Sequence, residues 1–158
     1  MADTDLKLDQ QVCFALYAAS RATTQLYRPV LDRLGLTYPQ YLVMLVLWER
    51  GPVTVKELGT ALELDSGTLS PLLKRLEATG LVTRRRRADD ERSVEIRLTD
   101  RGDALRQPAA GVPRKIAAAT GLDAAALRTL RDQLTAVTRT LRTQRLSTDD
   151  LTDEGTTL

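Results

Sequence analysis

The chain has 158 residues and a net charge of +2, with no histidine and one cysteine, Cys13. Without histidine or a second cysteine, the usual zinc sites, a Ser-His-Asp triad and a disulfide within one chain are excluded, and we expect neither a metal nor a cofactor. No apolar run approaches the roughly 20 residues of a membrane span, and the first residues lack a signal-peptide pattern. We therefore expect a cytoplasmic protein without a membrane partner, whose thiol stays reduced.

Charge is clustered along the chain rather than spread evenly. Four consecutive arginines, Arg84–Arg87, lie in the middle, whereas the C-terminal stretch is acidic. A length of 158 residues suits one domain with a sizeable core, so we predict a single domain over residues 1–158. Residues 146–158 are rich in Asp and Thr, and we expect this tail to be disordered.

A long helix is predicted first. The apolar spacing favours a helix over residues 10–34, with Asp9 as its N-terminal cap. Pro29 predicts a kink or a loosened turn within this helix, and Gly35 is placed where helices end.

A second helix, capped by Thr37, is predicted to run to about Arg50. It is apolar nearly all round, so we interpret it as the core helix. Thr54 and Glu57 then match a capping box, in which each side chain satisfies the other's end of the first turn. This pattern predicts a short helix that ends near Leu62.

Residues 58–98 read as helix, turn, helix and basic hairpin, which is the order of a winged helix-turn-helix. The second helix is predicted over residues 66–79, with an inward face of Leu69, Leu72, Leu73 and Leu76. Two strands, over residues 81–87 and 93–98, form the wing. Such a unit places its second helix in the DNA major groove and its wing against the backbone or minor groove. We therefore predict a mainly α protein with a small β-wing that binds double-stranded DNA.

Side chains suited to DNA contact lie on the second helix and on the wing. The candidates are Ser66, Thr68, Ser70, Lys74 and Arg75 on the helix, and Arg84, Arg85, Arg86, Arg87, Asp90 and Arg92 on the wing. Because side chains alternate along a strand, only about half of the four consecutive arginines can face DNA together. We expect the Asp90 carboxylate to hold the Arg92 guanidinium in one geometry, so that Arg92 enters a narrow minor groove. The alternative interpretation of Lys74 and Arg75 is a solvated helix face.

The end of the chain is predicted to be helical again. Thr99 caps a helix over residues 100–119, which is disturbed by Pro108, Gly111 and Pro113. A last helix over residues 123–144 repeats apolar residues at alternating spacings of three and four: Leu127, Leu130, Leu134, Val137 and Leu141. This narrow seam is the pattern of a helix that pairs with another helix. Packing within one subunit would also explain it, but we favour a symmetric dimer that reads two half-sites about 34–36 Å apart.

The wing tip, Asp90-Glu-Arg92, followed by Val94-Glu-Ile-Arg-Leu-Thr99, resembles the MarR family of dimeric bacterial regulators over about residues 10–145. The resemblance implies a homodimer on a roughly palindromic operator. In it, residues 10–50 and 100–145 would supply the dimerisation helices, and residues 51–99 the winged DNA-binding region.

Cys13 has two interpretations. A cysteine on an amphipathic helix is ordinarily a small core residue. However, Cys13 lies near the start of its predicted helix, where the helix dipole favours a thiolate. Tyr17 shares its face one turn on, whereas Tyr27 is about 21 Å away along a straight helix at 1.5 Å per residue. If Tyr27 serves the thiol, it therefore does so from the partner subunit.

The combination of Cys13-Phe-Ala-Leu-Tyr17, Tyr27 and Leu36-Thr-Tyr38-Pro-Gln-Tyr41 looks like the OhrR branch of the MarR family, repressors that sense organic hydroperoxides. The resemblance implies that Cys13 is the sensing thiol, with Tyr27 and Tyr38 of the partner subunit as its contacts and Tyr17 nearby. Some relatives carry a second cysteine, which this chain lacks. Oxidised Cys13 is therefore expected to form a mixed disulfide with a low-molecular-weight thiol, a cyclic sulfenamide or overoxidised acids.

The sequence thus leads to the hypothesis of a dimeric repressor, not an enzyme, that leaves its operator when an organic hydroperoxide oxidises Cys13. One alternative is a repressor relieved by a phenolic or other small aromatic ligand, with Cys13 structural. A second is a thiol peroxidase working through Cys13, against which the missing histidine and second cysteine argue. A third is a helical interaction protein without sequence preference among DNA duplexes.

Overall fold

The structure is a computed structural model that describes residues 6–90 and 92–144. In chain order it contains a 3-10 turn (Leu8–Gln10), α1 (Val12–Asp32), α2 (Tyr38–Arg50), β1 (Val53–Thr54), α3 (Val55–Leu62), α4 (Ser66–Ala78), β2 (Val82–Arg86), β3 (Val94–Leu98), α5 (Asp100–Ala104), α6 (Arg106–Ala109), α7 (Val112–Ala119) and α8 (Ala124–Thr143). The predicted class, mainly helical with a small β-wing, is confirmed. The tail over residues 146–158 lies outside the described residues.

The first helix is uninterrupted, and Pro29 lies inside it. Its N-cap is Gln11, whose side chain makes no capping hydrogen bond, so the prediction that Asp9 caps it is wrong. Asp9 lies instead within the preceding 3-10 turn, which is closed by a hydrogen bond from the N–H of Gln11 to the carbonyl of Leu8. The extended backbone at Gln11 then separates this turn from α1.

A glycine sets the turn between α1 and α2. Gly35 has a φ of +67°, a conformation that costs a glycine no steric clash. The N–H of Leu36 bonds back to the carbonyl of Leu31 at 3.1 Å, the closing bond of a Schellman-type helix end. Thr37 then caps α2 as predicted and forms a capping box with Gln40.

The second helix is the core helix, as predicted. Most of its length is buried, through Gln40, Tyr41, Val43, Met44, Val46, Leu47 and Trp48. The indole N–H of Trp48 donates a buried hydrogen bond to the carbonyl of Gly102 at 3.0 Å. This contact ties the core helix to the segment that follows the wing.

The helix-turn-helix consists of α3 and α4, whose bounds match the prediction to within one residue. Thr54 and Glu57 form the expected capping box at the start of α3. Asp65 caps α4 by accepting a hydrogen bond from the N–H of Thr68 at 2.7 Å. The inward face of α4 is buried as predicted, through Leu69, Leu72, Leu73 and Leu76. The opposite, polar side of α4 is exposed.

The wing is an antiparallel hairpin to which a third strand is added. In the register of β2 and β3, Val82 lies opposite Leu98. The two-residue strand β1 pairs with β3 through Val53 and Ile96, and the Ile96 side chain is fully buried. β1 was not predicted, because two residues are too few for alternation to be recognised. Since β1 leads directly into α3, it joins the start of the helix-turn-helix to the wing.

One helix was predicted after the wing, whereas the structure has three short ones, α5 to α7. Thr99 caps the first as predicted, by accepting a hydrogen bond from the N–H of Gly102. The breaks follow from the prolines, since each proline lacks the N–H that would bond to the carbonyl four residues earlier. Pro108 would have bonded to residue 104 and Pro113 to residue 109, the residues at which α5 and α6 end.

Two compact units divide the chain, one ending at Ile116 and the other starting at Ala117. The second unit contains α8, which Asp123 caps by accepting a hydrogen bond from the N–H of Ala126 at 2.8 Å. The bounds of α8 match the prediction to within one residue. The grouping of residues 1–158 into a single domain stays a prediction. Across the part of the chain that is described, no helix has both the length and the apolarity to cross a membrane.

A tight contact holds α5 against the start of the wing. A Cβ atom on Gly102 would lie 2.1 Å from the carbonyl oxygen of Leu81. We expect Gly102→Ala to lower the free energy of unfolding by about 2–4 kcal/mol, because α5 must shift to relieve the overlap. Urea unfolding measures the change. Gly111→Ala is the matched control, since its Cβ would meet nothing within 4 Å. Equal stability of the two variants would show that the contact with Leu81 does not constrain α5.

Candidate DNA-binding surface and thiol site

The exposed side of α4 carries the polar side chains that were predicted to contact DNA: Ser66, Thr68, Ser70, Lys74 and Arg75. The hydrogen bond from the main-chain N–H of Thr68 lowers the pKa of the Asp65 carboxyl, which keeps the cap ionised and the first turn closed. At about 100° per residue, Ser66 and Ser70 lie on one flank of the helix and Thr68 and Arg75 on the other. The two flanks therefore face different surroundings.

The first flank opens on a pocket of about 440 Å³ between α3, α4 and the wing. This pocket brings together five of the predicted DNA contacts: Ser66, Ser70, Arg84, Asp90 and Arg92. It also includes Lys56, which the sequence analysis missed. A lone lysine in a capping turn belongs to no pattern, so only its position opposite the wing distinguishes it.

Arg84 joins the wing to α4. Its guanidinium Nε lies 2.8 Å from Oε2 of Glu77 on α4, and its main-chain N–H donates to Oε1 of the same carboxylate at 3.3 Å. Both side chains are partly buried, so water screens this pair less than a pair on the surface. Arg84 therefore has a structural role, since it connects the wing to α4. Its contact with DNA stays a prediction.

The other three consecutive arginines differ in their surroundings. Arg87 makes a bidentate contact with Asp89, at 2.9 Å and 2.7 Å. These hydrogen bonds lower the pKa of the Asp89 carboxyl and raise that of Arg87. Arg85 and Arg86 are exposed, and they point to opposite faces of β2, as the expected alternation requires.

Asp90 shapes the wing tip through a contact that differs from the predicted one. Its carboxylate accepts a hydrogen bond from the main-chain N–H of Arg92 at 3.1 Å, whereas the prediction assigned it to the Arg92 guanidinium. Its carbonyl accepts from the N–H of Ser93 at 2.9 Å. An aspartate that bonds the backbone two residues on forms a common type of turn. The carboxylate thus fixes the backbone of the tip, and with it the point from which the Arg92 side chain leaves.

Cys13 is the second residue of α1, and it is exposed. Tyr17, one turn on, is exposed as well, and its hydroxyl oxygen accepts a hydrogen bond from Nη1 of Arg21 at 3.1 Å. The Arg21 guanidinium carbon lies 5.6 Å from the centre of the Tyr17 ring, a cation–π distance. Arg21 therefore contacts the tyrosine that shares the face of Cys13. Among the described residues, no three side chains of metal-binding type come together.

Tyr27 and Tyr38 lie together at the far end of α1. Their ring centres are 4.7 Å apart, and Tyr41 lies 5.8 Å from Tyr27. Burial raises the pKa of Tyr27 to about 12, with the neighbouring phenols of Tyr38 and Tyr41 adding to the shift. Burial also raises the pKa of Tyr38 and of Tyr41. All three hydroxyls are therefore protonated hydrogen-bond donors at neutral pH.

Tyr41 was not predicted as a site residue, but it belongs to this cluster of tyrosines. Its side chain is 1% exposed, and its hydroxyl has no hydrogen-bond partner among the described residues. A buried side chain in the middle of a core helix is indistinguishable from ordinary core in the sequence. Beside the cluster, Tyr38 borders a largely apolar pocket of about 430 Å³, whose lining includes Leu31, Leu36 and Arg28.

The thiol and the tyrosine pair do not meet within one chain. Cys13 and Tyr27 belong to the same uninterrupted helix. Fourteen residues of α-helix at 1.5 Å each separate them by about 21 Å. Any contact between this thiol and these phenols must therefore form between two copies of the chain.

Two helices present apolar side chains to the outside. On α1, the exposed apolar and aromatic residues are Val12, Phe14, Tyr17 and Leu26. On α8, four residues of the predicted dimerisation seam are exposed: Leu130, Leu134, Val137 and Leu141. Leu127, the first residue of the seam, is half-buried. Rows of large apolar side chains of this kind mark surfaces that another element covers.

Known proteins are similar to this chain in both sequence and fold. The family described as transcriptional regulator SarA/Rot matches residues 25–107. The organic hydroperoxide resistance transcriptional regulator of Bacillus subtilis is 48% identical over 136 residues, which are 86% of this chain and 92% of the relative.

Two solved structures relate the fold to DNA. Reduced AbfR bound to DNA is 35% identical with a TM-score of 0.74, covering 90% of this chain and 100% of the other; AbfR is from Staphylococcus epidermidis. A MarR variant of E. coli in complex with operator DNA is 27% identical with a TM-score of 0.71, covering 78% of this chain and 90% of the other. The relatives are transcriptional regulators, and the chain belongs to the MarR family, in its OhrR-type branch.

Proposed function

We propose that the protein is a dimeric DNA-binding repressor that releases its operator when an organic hydroperoxide oxidises Cys13. The observation that carries this proposal is the length of α1, which separates Cys13 from the Tyr27–Tyr38 pair within one chain. A sensor built from these groups therefore needs two subunits. The relative from Bacillus subtilis, which is named for resistance to organic hydroperoxides, supports the choice of oxidant.

The DNA-binding part of the proposal rests on α4 and the wing. The structures of AbfR and of the MarR variant show these proteins bound to DNA, and this chain has their fold. In a winged helix-turn-helix, the second helix enters the major groove, which here is α4 with Lys74 at the centre of its exposed side. Two such helices in a symmetric dimer would read the two halves of a roughly palindromic operator.

The apolar seam of α8, which runs from the half-buried Leu127 to the exposed Val137 and Leu141, is the proposed dimerisation face. Its apolar side chains would be covered by the partner subunit, which removes apolar surface from water. The exposed apolar residues of α1, Val12 and Phe14, flank the thiol. The same association that covers them would place Cys13 beside the partner's tyrosines, so that the sensor is complete only in the dimer.

The chemistry is a two-electron oxidation of sulfur. The Cys13 thiolate attacks the terminal oxygen of the hydroperoxide, the O–O bond breaks, and the leaving alkoxide takes up a proton to become an alcohol. Cys13 becomes a sulfenic acid. A low-molecular-weight thiol would then condense with it, forming a mixed disulfide and water, and a second thiol would restore the reduced protein. Each oxidation is a switching event, and we propose no turnover as a peroxidase.

Release of DNA would follow from the change at sulfur. The Cys13 thiolate would accept hydrogen bonds from Tyr27 and Tyr38 of the partner subunit. A mixed disulfide adds bulk and no longer carries the charge that those donors would stabilise. Repacking at the interface would move the two α4 helices out of register with the grooves, because packed interfaces switch between discrete arrangements.

A second candidate is a repressor relieved by a phenolic or other small aromatic ligand. The apolar pocket beside Tyr38 favours it, because its volume of about 430 Å³ suits a small ligand. In this case Cys13 would be dispensable for the response to inducer.

Operator release separates the two candidates. We expect reduced wild type to bind a duplex of its own upstream region in a gel-shift titration, and to lose affinity at least tenfold after stoichiometric cumene hydroperoxide. A reducing thiol should restore binding. Cys13→Ser should bind and remain bound under peroxide, because it lacks the thiolate. Release of Cys13→Ser by the same peroxide would contradict the proposed sensor. Release of this variant only by an aromatic inducer would favour the second candidate.

Mixed dimers test whether the site spans two subunits. One chain carries Cys13→Ser and the other carries Tyr27→Phe together with Tyr38→Phe. If the thiol uses the partner's tyrosines, the mixed dimer retains one intact site, and its single Cys13 should react with peroxide at the wild-type rate. The control is the homodimer of the double tyrosine variant, in which oxidation should slow several-fold. Stopped-flow measurement of thiol loss gives both rates. Slow oxidation in the mixed dimer would place the thiol's partners within its own chain.

Tyr27 should also make stability depend on pH in a defined window. Its pKa is about 12 in the folded protein, above the ordinary value of 10.0, so folding favours the protonated phenol. Its contribution to stability is full below about pH 10 and is lost as the pH rises from about 10 to about 12. We expect the free energy of unfolding to fall across this window by less in Tyr27→Phe than in wild type, as measured by urea unfolding at several pH values. Identical falls would assign the dependence to other groups.

A further inference from the structure

The pocket between α3, α4 and the wing combines three positive side chains with several hydroxyls. Lys56, Arg84 and Arg92 line it, together with one carboxylate, that of Asp90. Its hydroxyls come from Thr54, Ser66, Ser70 and Ser93. A concave surface with an excess of positive charge and several hydrogen-bond donors suits a small, negatively charged group with several acceptor oxygens.

The charged side chains of the pocket differ in whether they already pair with other groups of the chain. Arg84 is paired with Glu77 at 2.8 Å. The Asp90 carboxylate accepts the main-chain N–H of Arg92. For Lys56 and for Arg92, no carboxylate within residues 6–90 and 92–144 lies within 4.0 Å of the side-chain nitrogens. Among the described residues, the positive charges of the pocket that form no ion pair are therefore those of Lys56 on α3 and Arg92 on the wing.

The position of Lys56 follows from the local structure. Lys56 is the second residue of α3 and lies inside the capping box that Thr54 and Glu57 form. The Glu57 carboxylate is held by the N–H and hydroxyl of Thr54, at 2.6 Å and 2.9 Å, and it does not line the pocket. Because β1 pairs with β3, the start of α3 is fixed beside the wing. The lysine and the wing arginine are thus held on opposite sides of one opening.

We propose that this pocket is a binding site for a phosphodiester group of the DNA backbone, with Lys56 as its charged contact and Ser66 and Ser70 as hydrogen-bond donors. Arg92, on the wing side of the opening, would remain directed to the narrow minor groove, a contact that stays a prediction. This inference rests on the proposed DNA-binding function. When α4 lies in the major groove, the sugar-phosphate strand that borders the groove runs along its flank, where this pocket opens. The first helix of a helix-turn-helix crosses the backbone, which places the start of α3 at a phosphate.

The assignment divides the predicted contacts of α4 by role. Ser66 and Ser70, on the pocket flank, position the protein on the backbone and carry no sequence information. Lys74, at the centre of the exposed side, and Thr68 and Arg75, on the other flank, remain to read base edges. Substitutions on the two flanks should therefore differ in how their effects depend on the DNA sequence.

Lys56→Ala tests the site in the full-length dimer. Alanine maintains the helix, and the exposed lysine has no packing role, so folding should be unaffected, as thermal unfolding would verify. We expect affinity to fall about tenfold, by the same factor on a duplex of the chain's own upstream region and on an unrelated duplex. The slope of log K against log salt should become shallower by about 0.9 per phosphate contact, or about two for a dimer. Lys56→Arg should retain most of the affinity.

The control is Lys7→Ala, which removes the same charge from the exposed turn that precedes α1, outside this pocket. It should leave affinity and salt dependence close to wild type. A duplex with single methylphosphonate substitutions supplies an independent reading. The substitution that removes the contacted charge should weaken wild type but have no further effect on Lys56→Ala. Inorganic phosphate at the duplex concentration should not compete, because the site is proposed for a phosphate carried by DNA.

The possible results separate this inference from the function on which it rests. If wild type binds with a steep salt dependence and Lys56→Ala is indistinguishable from it, the phosphate site is wrong and the repressor proposal stands. A loss confined to the upstream duplex, with an unchanged salt slope, would make Lys56 a sequence-reading residue and would also overturn the site. If wild type shows no binding to either duplex, the proposed function itself fails.

Discussion

The rigidity of α1 is the constraint on which the rest of this protein depends. A hydrogen-bonded helix has a fixed rise, so Cys13 and Tyr27 remain about 21 Å apart in every state in which the helix is intact. Pro29, the one residue expected to loosen it, lies beyond Tyr27 and leaves the intervening segment regular. A thiol site that uses these phenols is therefore a property of two chains. In such an arrangement, a chemical change at the sulfur acts on the dimer interface directly.

The second constraint is the coupling among the parts of the DNA-binding unit. Arg84 joins the wing to α4 through Glu77, and β1 joins the start of α3 to the wing. Trp48 and Gly102 tie the core helix to the segment after the wing. These contacts make α3, α4 and the wing one body, so a displacement of any of them displaces the whole reading surface. Affinity for DNA can then change sharply without any change in the residues that touch it.

Elements that are determined by local chemistry could be predicted from the sequence. The caps at Thr37, Thr54 and Thr99 fixed three helix starts, because each capping hydrogen bond is formed within four residues. Asp9 was a plausible cap in the sequence, but its turn closes as a 3-10 turn and α1 starts later. β1 escaped notice because its pairing with β3 bridges some forty residues, and such pairing leaves no local pattern.

The candidate site residues likewise fall into those that the sequence identifies and those that only the folded chain reveals. Cys13, Tyr27 and Tyr38 could be named from the sequence because a resemblance and a helix length pointed to them. Lys56 and Tyr41 could not be named in this way. In the sequence, Lys56 is a lone lysine and Tyr41 looks like an ordinary core residue, and only the folded chain shows what each lies beside. Folding also reassigns charge: Glu77 and Asp89 engage Arg84 and Arg87, so the basic run is less available than its four charges suggest. The charge left for DNA is set by tertiary pairing, and composition alone therefore does not distinguish the single lysine that lies opposite the wing.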